Sequence, residues 1–338
     1  MARTRAPRAL AILIAALLLT GLAGPAGAPE VRLSISKGFG EKVTIALALF
    51  ETEPGGVVAA ADVRDVLSFD LAASGYFALV ENTGFVDELE SDDRASGEID
   101  FREWLTLGAE VLIKGNVSAK LGEFGIEGRV FDLAQGRPIF GRRYTGDPDR
   151  WRAAVHELAD DIVRQLTGEE GVASTKIAYV SNVTGTKGSY VMDYDGANQR
   201  RLTRDSSIAI YPAWFPDGRG IAYTRYRGHR QESYRVPVSG GAAVRLTSFP
   251  GLNAFPAPSP RGNELLMTLS RDGNPEIYRL MADGSDPRRL TYTRTTESSP
   301  CWSPDGRRVA FVSDRSGSPQ IYVMSATVGA AERVTYQG

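Results

Sequence analysis

The sequence has few of the residues that build disulfides, metal clusters or histidine-based catalytic sites. Cys301 is the single cysteine among 338 residues, so no disulfide can form within the chain. The two histidines, His156 and His229, lie far apart in the sequence and form no pattern typical of a metal site. There is also no G-x-S-x-G elbow and no P-loop. These absences favour a protein that binds other molecules without catalysis, metal or cofactor.

An excess of basic charge is missing as well. Lys and Arg number 39 against 41 acidic residues, which gives no support for the basic face that nucleic-acid binding needs. Three arginines in the first eight residues precede an apolar run, Ala9 to Thr20, and small residues follow up to Ala28. This order predicts a secretory signal peptide over residues 1–28 and export to the periplasm. The run is shorter than the roughly 20 residues that span a bilayer, so a permanent anchor is the weaker interpretation.

Residues 29–170 carry the pattern of an α/β domain with a mixed sheet and helices. Strands are predicted at 43–50, 76–80, 111–117, 125–132 and 137–144. One helix is predicted to end near Gly75. A second should begin after Asp147 as cap and Pro148 at its first position, because the apolar stripe from Trp151 to Leu166 has helical spacing. The acidic segment 86–97 is predicted to be a surface loop.

Residues 171–338 contain an internal repeat of 44 residues. The tyrosines Tyr190, Tyr234, Tyr278 and Tyr322 keep this step, and so do four copies of an Arg-(Leu/Val)-Thr triplet that begin at Arg201, Arg245, Arg289 and Arg333. A repeat of this length with four strand-sized pieces is typical of a β-propeller blade. In the third copy the pieces are 255–259, 264–269, 276–281 and 288–291, joined by turns rich in Gly, Asn and Asp.

The motifs resemble those of the TolB family over nearly the whole chain. The similarity rests on Pro212-Ala-Trp-Phe-Pro-Asp-Gly218, on Pro300-Cys-Trp-Ser-Pro-Asp-Gly306, on the segment 166–181 between the two domains, and on Tyr190 to Gly196. The family fold closes a six-bladed propeller, whereas four copies are present and the first lacks its inner strand. We therefore expect the gene to continue beyond Gly338 with about two more repeats.

The resemblance implies a periplasmic protein without catalysis that links inner-membrane Tol proteins to the lipoprotein Pal. It also implies a role in outer-membrane integrity and in constriction during cell division. The family offers its mature N-terminus to TolA, which corresponds here to Glu30, Val31, Arg32, Leu33 and Ile35. Because apolar and polar residues alternate in this segment, it could add to a partner as an edge strand. It could equally be an ordinary first strand of its own domain.

Pal docks, in the family, on loops around one mouth of the propeller channel. In a meander the turns alternate between faces, so the link from an outer strand to the next inner strand shares a face with the turn between the second and third strands. The predicted contact residues on this face are Ile210, Tyr211, Leu252, Asn253, Phe255, Glu297 and Ser298. Packing of Phe255 between blades is an equally plausible role.

Other conspicuous residues are predicted to be structural. Trp214 and Trp302 recur in one register and should pack between blades. Cys301 occupies a position held by alanine in other copies, which predicts a buried small residue. Aspartates 193, 195 and 283 are interpreted as turn residues and not as a calcium site. Two alternative functions stay open: the propeller of a peptidase-related protein, which would need a hydrolase domain, and a periplasmic carbohydrate-binding propeller.

Overall fold

The computed structural model describes residues 41–52, 60–81, 83–120, 123–327 and 329–336. The predicted signal peptide and the predicted TolA-binding segment lie outside these ranges, so both stay predictions. Among the described helices, none has the length and apolar character needed to cross a bilayer.

The N-terminal domain is a mixed sheet with helices on both faces. Its strands are β1 (Val43–Leu47), β2 (Glu51–Thr52), β3 (Phe77–Leu79), β4 (Val111–Lys120), β5 (Glu123–Asp132) and β6 (Arg137–Gly146). Its helices are α1 (Ala60–Ala73), α2 (Thr83–Ser96), α3 (Phe101–Thr106) and α4 (Trp151–Thr167). The strand order is β3-β1-β4-β5-β6, with β2 beside β4. Strands β1, β2 and β3 run parallel to their neighbours, and β4, β5 and β6 form an antiparallel meander.

Alternation along the buried strands sends side chains into two separate cores. Ile45 faces a core that α1 and α4 close, where Leu67 and Ile162 are fully buried. Its neighbour Ala46 faces the opposite core, which α2 and α3 close around Trp104. The period of two along a strand therefore explains why the sheet needs helices on both sides.

The predicted helix ends are confirmed with one refinement. Gly75 follows α1 with φ 83°, the left-handed conformation that glycine adopts without steric cost. Asp147 caps a short 3₁₀ turn, Pro148–Arg150, by accepting a hydrogen bond from the Asp149 backbone N–H at 3.0 Å. Helix α4 then begins at Trp151.

The prediction of a surface loop over 86–97 is wrong, because this segment forms most of α2. The inward face of α2 is partly acidic: Glu90 and Asp93 are nearly fully buried. Both carboxylates pair with the Lys114 ammonium, at 2.7 and 2.8 Å, and the Trp104 indole N–H donates to Asp93 at 2.8 Å. Buried acids with such partners are stable in a core, although in the sequence they look like solvent-exposed residues.

The second domain consists of four antiparallel sheets that follow the repeat. Sheet I is β7 (Lys176–Ser181), β8 (Gly188–Asp193) and β9 (Arg200–Arg201). Sheet II is β10 (Ile208–Trp214), β11 (Gly220–Arg227), β12 (Arg230–Pro237) and β13 (Val244–Thr247). Sheet III is β14 (Asn253–Pro258), β15 (Glu264–Leu269), β16 (Glu276–Met281) and β17 (Arg288–Arg289). Sheet IV is β18 (Glu297–Trp302), β19 (Arg308–Ser313), β20 (Gln320–Ser325) and β21 (Glu332–Arg333).

Neighbouring sheets pack face to face. Val191 of sheet I shares a core with Ile221 of sheet II, and Leu266 of sheet III shares one with Val309 of sheet IV. Sheet I has three strands, as expected from the missing inner strand of the first repeat. The α/β domain followed by propeller sheets is confirmed.

Positions that recur in the repeat have different environments in different sheets. Trp302 packs into the core between sheets III and IV and donates its indole N–H to the Ala257 carbonyl at 2.9 Å, which fits the structural role predicted for it. Cys301 is exposed, so the prediction of a buried thiol is wrong. Its counterpart Ala257 packs against the core shared with the following sheet, whereas Cys301 lies in the last sheet of the described chain.

Candidate partner-binding face of the propeller sheets

The inner strand of sheets II, III and IV is interrupted at the same place. The pairing with the second strand shifts register between Ile210 and Ala213, and at the equivalent places in the other two sheets. Each interruption contains a proline, which has no N–H to donate to the ladder. The residue before each proline has a positive φ: Tyr211 at 57°, Phe255 at 55° and Ser299 at 52°.

This backbone conformation is costly for bulky side chains. Residues before proline normally adopt extended conformations, and left-handed non-glycine residues cost roughly 1–3 kcal/mol each. Strained residues of this kind occur preferentially at functional sites. The repeated conformation marks the interruption within the inner strands, next to the residues that the sequence predicts to contact a partner.

An aromatic pair occupies this interruption in sheets II and III. The rings of Tyr211 and Phe255, one repeat apart, lie 4.3 Å apart between centroids and are inclined by 42°. The Phe255 backbone N–H donates to the Thr224 hydroxyl of sheet II at 3.2 Å. Tyr211 is 41% exposed and Phe255 is half-buried. Phe255 therefore packs between sheets, and part of its side chain still reaches the surface; its contact with a partner stays a prediction.

The apolar surface extends on both sides of the pair. Ile210 is half-buried and lines a groove with Ile208 and Tyr226, opposite the β7–β8 turn of sheet I. Burial raises the pKa of the Tyr226 phenol, and the neighbouring Tyr211 raises it further. Leu252, three residues before Phe255, is half-buried, and its backbone N–H donates to the Ser270 hydroxyl at 2.8 Å.

Hydrogen bonds confirm that the turn between the second and third strands of a sheet lies on the same face as the link to the next inner strand. The turn between the second and third strands of sheet III contains Asn274, whose amide donates to the carbonyls of Thr293 at 3.2 Å and Thr295 at 2.5 Å. Those two residues belong to the link that leads to the inner strand of sheet IV. The link and the turn are thus held together as one surface.

Two of the predicted contact residues are buried, contrary to what a direct contact requires. Asn253 accepts from the Phe249 backbone N–H at 2.9 Å and donates back to the Phe249 carbonyl at 2.7 Å, which closes its loop. Glu297 is fully buried and accepts from the Ser313 hydroxyl at 2.8 Å and the Arg315 guanidinium at 2.9 Å. Both side chains shape the loops, while Ser298 remains half-buried at the surface.

A group of charged residues lies away from this face, where the two domains meet. Within the described ranges, His156, Asp193 and Asp195 are the only His, Cys, Asp or Glu residues that bring three potential ligand atoms within 4.8 Å. However, Arg152 already binds Asp195 and Lys176 binds Asp193. The group is therefore an ion-pair network. Both aspartates also accept hydrogen bonds within their own turn, as predicted.

Comparison with known proteins decides the family. A model of the TolB beta propeller domain matches residues 163–338, and a model of the TolB amino-terminal domain matches residues 31–139. The chain belongs to the TolB family.

Individual TolB proteins are similar in sequence and in structure. The Tol-Pal system protein TolB of Desulfosudis oleivorans is 37% identical over 197 residues, which cover 57% of this chain and 45% of that protein. The TolB of Anaeromyxobacter sp. strain K is 38% identical over 226 residues, covering 66% and 51% respectively. The crystal structure of TolB from Acinetobacter baumannii superposes with a TM-score of 0.74 at 28% identity, covering 88% of this chain and 72% of that one. The chain thus spans about half the length of the curated relatives it matches.

Proposed function

We propose that this chain acts in the periplasm as a protein-binding, non-catalytic component of the Tol–Pal system. It would link inner-membrane Tol proteins to Pal, and so support outer-membrane integrity and constriction during division. The curated relatives carry the name of this system, and the N-terminal sequence predicts export. The buried cores on both faces of the first sheet and the packed sheets of the second domain leave loops and strand ends as the natural binding surfaces.

The Tyr211–Phe255 pair is the observation that carries the Pal-binding proposal. Aromatic side chains are frequent binding hot spots because they bury a large area with little loss of conformational freedom. Here the pair is held by a strained backbone at the loop end of two adjacent sheets. Such preorganisation reduces the entropy lost on binding. Pal would dock on this pair, with Ile210, Leu252 and Ser298 around it.

Asn253 and Glu297 have an indirect role in this proposal. Their buried hydrogen bonds fix the links that precede the inner strands. The second partner, TolA, would bind the N-terminal segment that contains Glu30, Val31, Arg32, Leu33 and Ile35, by strand addition. Deleting residues 29–35 from the exported protein should abolish TolA binding, and unchanged binding would refute this part.

Binding of the periplasmic domain of Pal, measured by isothermal titration calorimetry, tests the docking face. Phe255→Ala should weaken binding by about 10- to 30-fold, which corresponds to about 1.4–2 kcal/mol for a central aromatic anchor. Phe85→Ala is the matched control, because Phe85 is 55% exposed but lies on α2 of the other domain. Equal affinity of the two variants, with both folded by circular dichroism, would show that Pal binds elsewhere.

A further inference from the structure

A cavity of about 460 Å³ lies between sheets I and II. Its wall is formed by the end of β9, the link that leads to β10, strands β11 and β12, and the turn that leads to β13. Its volume is typical of a site for a small molecule. One acid, Asp205, lines the cavity together with four arginines, which are Arg200, Arg201, Arg204 and Arg225. The lining is therefore positively charged.

Three of these arginines have no acidic partner in the described part of the chain. Arg200 donates to the Val238 carbonyl of sheet II. Arg201 donates to the Thr184 hydroxyl of sheet I. Arg204 is exposed and forms no hydrogen bond or ion pair with another described residue. Three guanidinium charges around one cavity are thus not balanced by a described carboxylate.

Arg225 is the exception, because two acids lie beside it. Its Nη1 is 3.0 Å from the Asp205 carboxylate, and its Nη2 is 3.7 Å from that of Glu232. Its Nε is nevertheless buried without an acceptor in the described ranges, and so is the Nε of Arg201. Buried donors without an acceptor cost free energy. The arginines of this cavity therefore have more donors than the described residues satisfy.

The buried wall of the cavity adds a hydroxyl group. Tyr223 of β11 lines the cavity and is only 2% exposed. Its hydroxyl has no hydrogen-bond partner among the described residues. Burial raises the pKa of this phenol to about 12, so it keeps its proton at neutral pH. A neutral phenol can donate a hydrogen bond to an anion.

The other copies of the repeat lack these arginines. Two of the four, Arg204 and Arg225, occupy positions where the other copies have neutral residues, so the blade architecture does not require a cation there. The 44-residue step places Ser248, Tyr292 and Tyr336 at the position of Arg204, and Ser181, Leu269 and Ser313 at the position of Arg225.

The equivalent space between sheets II and III is closed by a turn. A Cβ atom on Gly284 of sheet III would lie 1.9 Å from the Leu246 carbonyl oxygen, so this turn packs directly on β13. Gly240 is the equivalent residue of sheet II, 44 positions earlier. There a Cβ atom would meet only Nη1 of Arg200, at 3.6 Å. The looser turn of sheet II leaves the space that the arginines line.

The distribution of charge along the chain also favours an anionic ligand. Residues 171–338 contain 21 Lys and Arg against 14 Asp and Glu, whereas residues 29–170 contain 15 against 27. The balance over the whole chain conceals this difference. A basic domain attracts anions and raises their local concentration at a positively charged cleft.

We propose that the cavity binds a phosphate group, either as free phosphate or as the phosphate monoester of a larger molecule. A phosphate monoester carries about two negative charges at neutral pH, which matches three unbalanced guanidinium charges better than a single carboxylate does. Arginine also binds phosphate oxygens in a bidentate manner. The Tyr223 hydroxyl donates a further hydrogen bond. None of the predicted Pal contacts lines the cavity, so the proposal does not depend on Pal binding.

Isothermal titration calorimetry of the full exported chain with inorganic phosphate, at constant ionic strength, tests the site. Phosphate should bind at one site per chain. Arg204→Gln should weaken binding about 10-fold, as expected for the loss of an exposed charged donor, and its exposure means that the fold should not change. Arg227→Gln is the matched control, because Arg227 is exposed in the same sheet and lies outside the lining. Tyr223→Phe removes no charge and should still weaken binding about fivefold.

Vesicles that contain phosphatidic acid distinguish the two sources of the phosphate group. Sedimentation of the chain with these vesicles, lost in Arg204→Gln and displaced by inorganic phosphate, would assign the site to a lipid headgroup. Phosphate binding without sedimentation would assign it to a soluble phosphate or phosphate ester. The proposal is overturned if phosphate does not bind saturably. It is also overturned if Arg204→Gln and Arg227→Gln lose the same affinity, because general attraction to a basic domain would then explain the binding.

Discussion

Glu297 offers the sharpest test of how the loop end of the propeller is held together. Its carboxylate is fully buried at the start of β18 and accepts from Ser313, Arg315 and the Thr293 hydroxyl, all at 2.8 to 2.9 Å. Glu297→Ala removes the acceptor of all three donors. Removing one partner of a fully buried ion pair costs about 3–5 kcal/mol. The Arg315 side chain is 27% exposed, so water can partly solvate it after the substitution. We therefore expect Glu297→Ala to lower the stability by about 2–3 kcal/mol.

Native-state hydrogen exchange measures this loss where it occurs. The amides of β19 and β20 should exchange about 30- to 150-fold faster in Glu297→Ala, which is 2–3 kcal/mol expressed as an opening equilibrium. Exchange in β4 and β5 of the N-terminal domain should not change. Ser298→Ala, one residue away and half-buried, is the control. A change below about threefold in Glu297→Ala would refute the inference that this buried carboxylate stabilises sheet IV.

Three further predictions concern single residues in the two domains. Lys114→Met removes the ammonium that pairs with two buried acids of α2, so that Glu90 keeps only its 3.4 Å contact with Arg94. It should destabilise the N-terminal domain by about 3 kcal/mol, measured from the helical circular dichroism signal in urea. Gly284→Ala places a methyl group 1.9 Å from the Leu246 carbonyl oxygen, whereas at Gly273, also at positive φ, the space is open. In urea unfolding, Gly284→Ala should therefore lose more free energy of unfolding than Gly273→Ala. Burial raises the pKa of Tyr223 to about 12, so the folded state favours the neutral phenol. This contribution to stability is complete below about pH 10 and disappears as the pH approaches 12. In Tyr223→Phe, the free energy of unfolding should therefore fall less steeply between pH 10 and 12.

The propeller strands could be predicted from the sequence because their signals are local and repeated. Strand β15, Glu264–Leu269, and strand β16, Glu276–Met281, have the bounds expected from alternation and from the turns between them. Proline, glycine, asparagine and aspartate fix turns through their own backbone preferences. Four copies in one register then make each local signal more certain.

Contacts between distant residues could not be predicted in this way. Asp93 looks like a loop residue until Lys114, 21 positions away, is placed beside it. His156 lies within the apolar stripe of α4, and its partner Asp70 is 86 residues away. The polar side chains of Asn253 and Glu297 suggested solvent exposure, but the loops fold around them. In each case a buried polar group is stable because of a partner that the local sequence does not reveal.

The left-handed residues before proline were also beyond sequence reasoning. Residues before proline are expected to be extended, and neither Tyr211 nor Phe255 belongs to the residue types that favour positive φ. The only signal was the position of each, directly before a proline that recurs at the 44-residue step. A β-bulge at each recurring proline accounts for both the shifted strand pairing and the positive φ of the preceding residue.

Hydrogen exchange on the complex is the most direct test of the proposal that Pal binds the loop end of the inner strands. Adding the Pal domain to the full chain should protect the amides at 208–211 and 252–255. The turns at the opposite end of the same sheets, 215–219 and 259–263, should be unaffected. Protection of those opposite turns, or protection confined to the N-terminal domain, would contradict the claim.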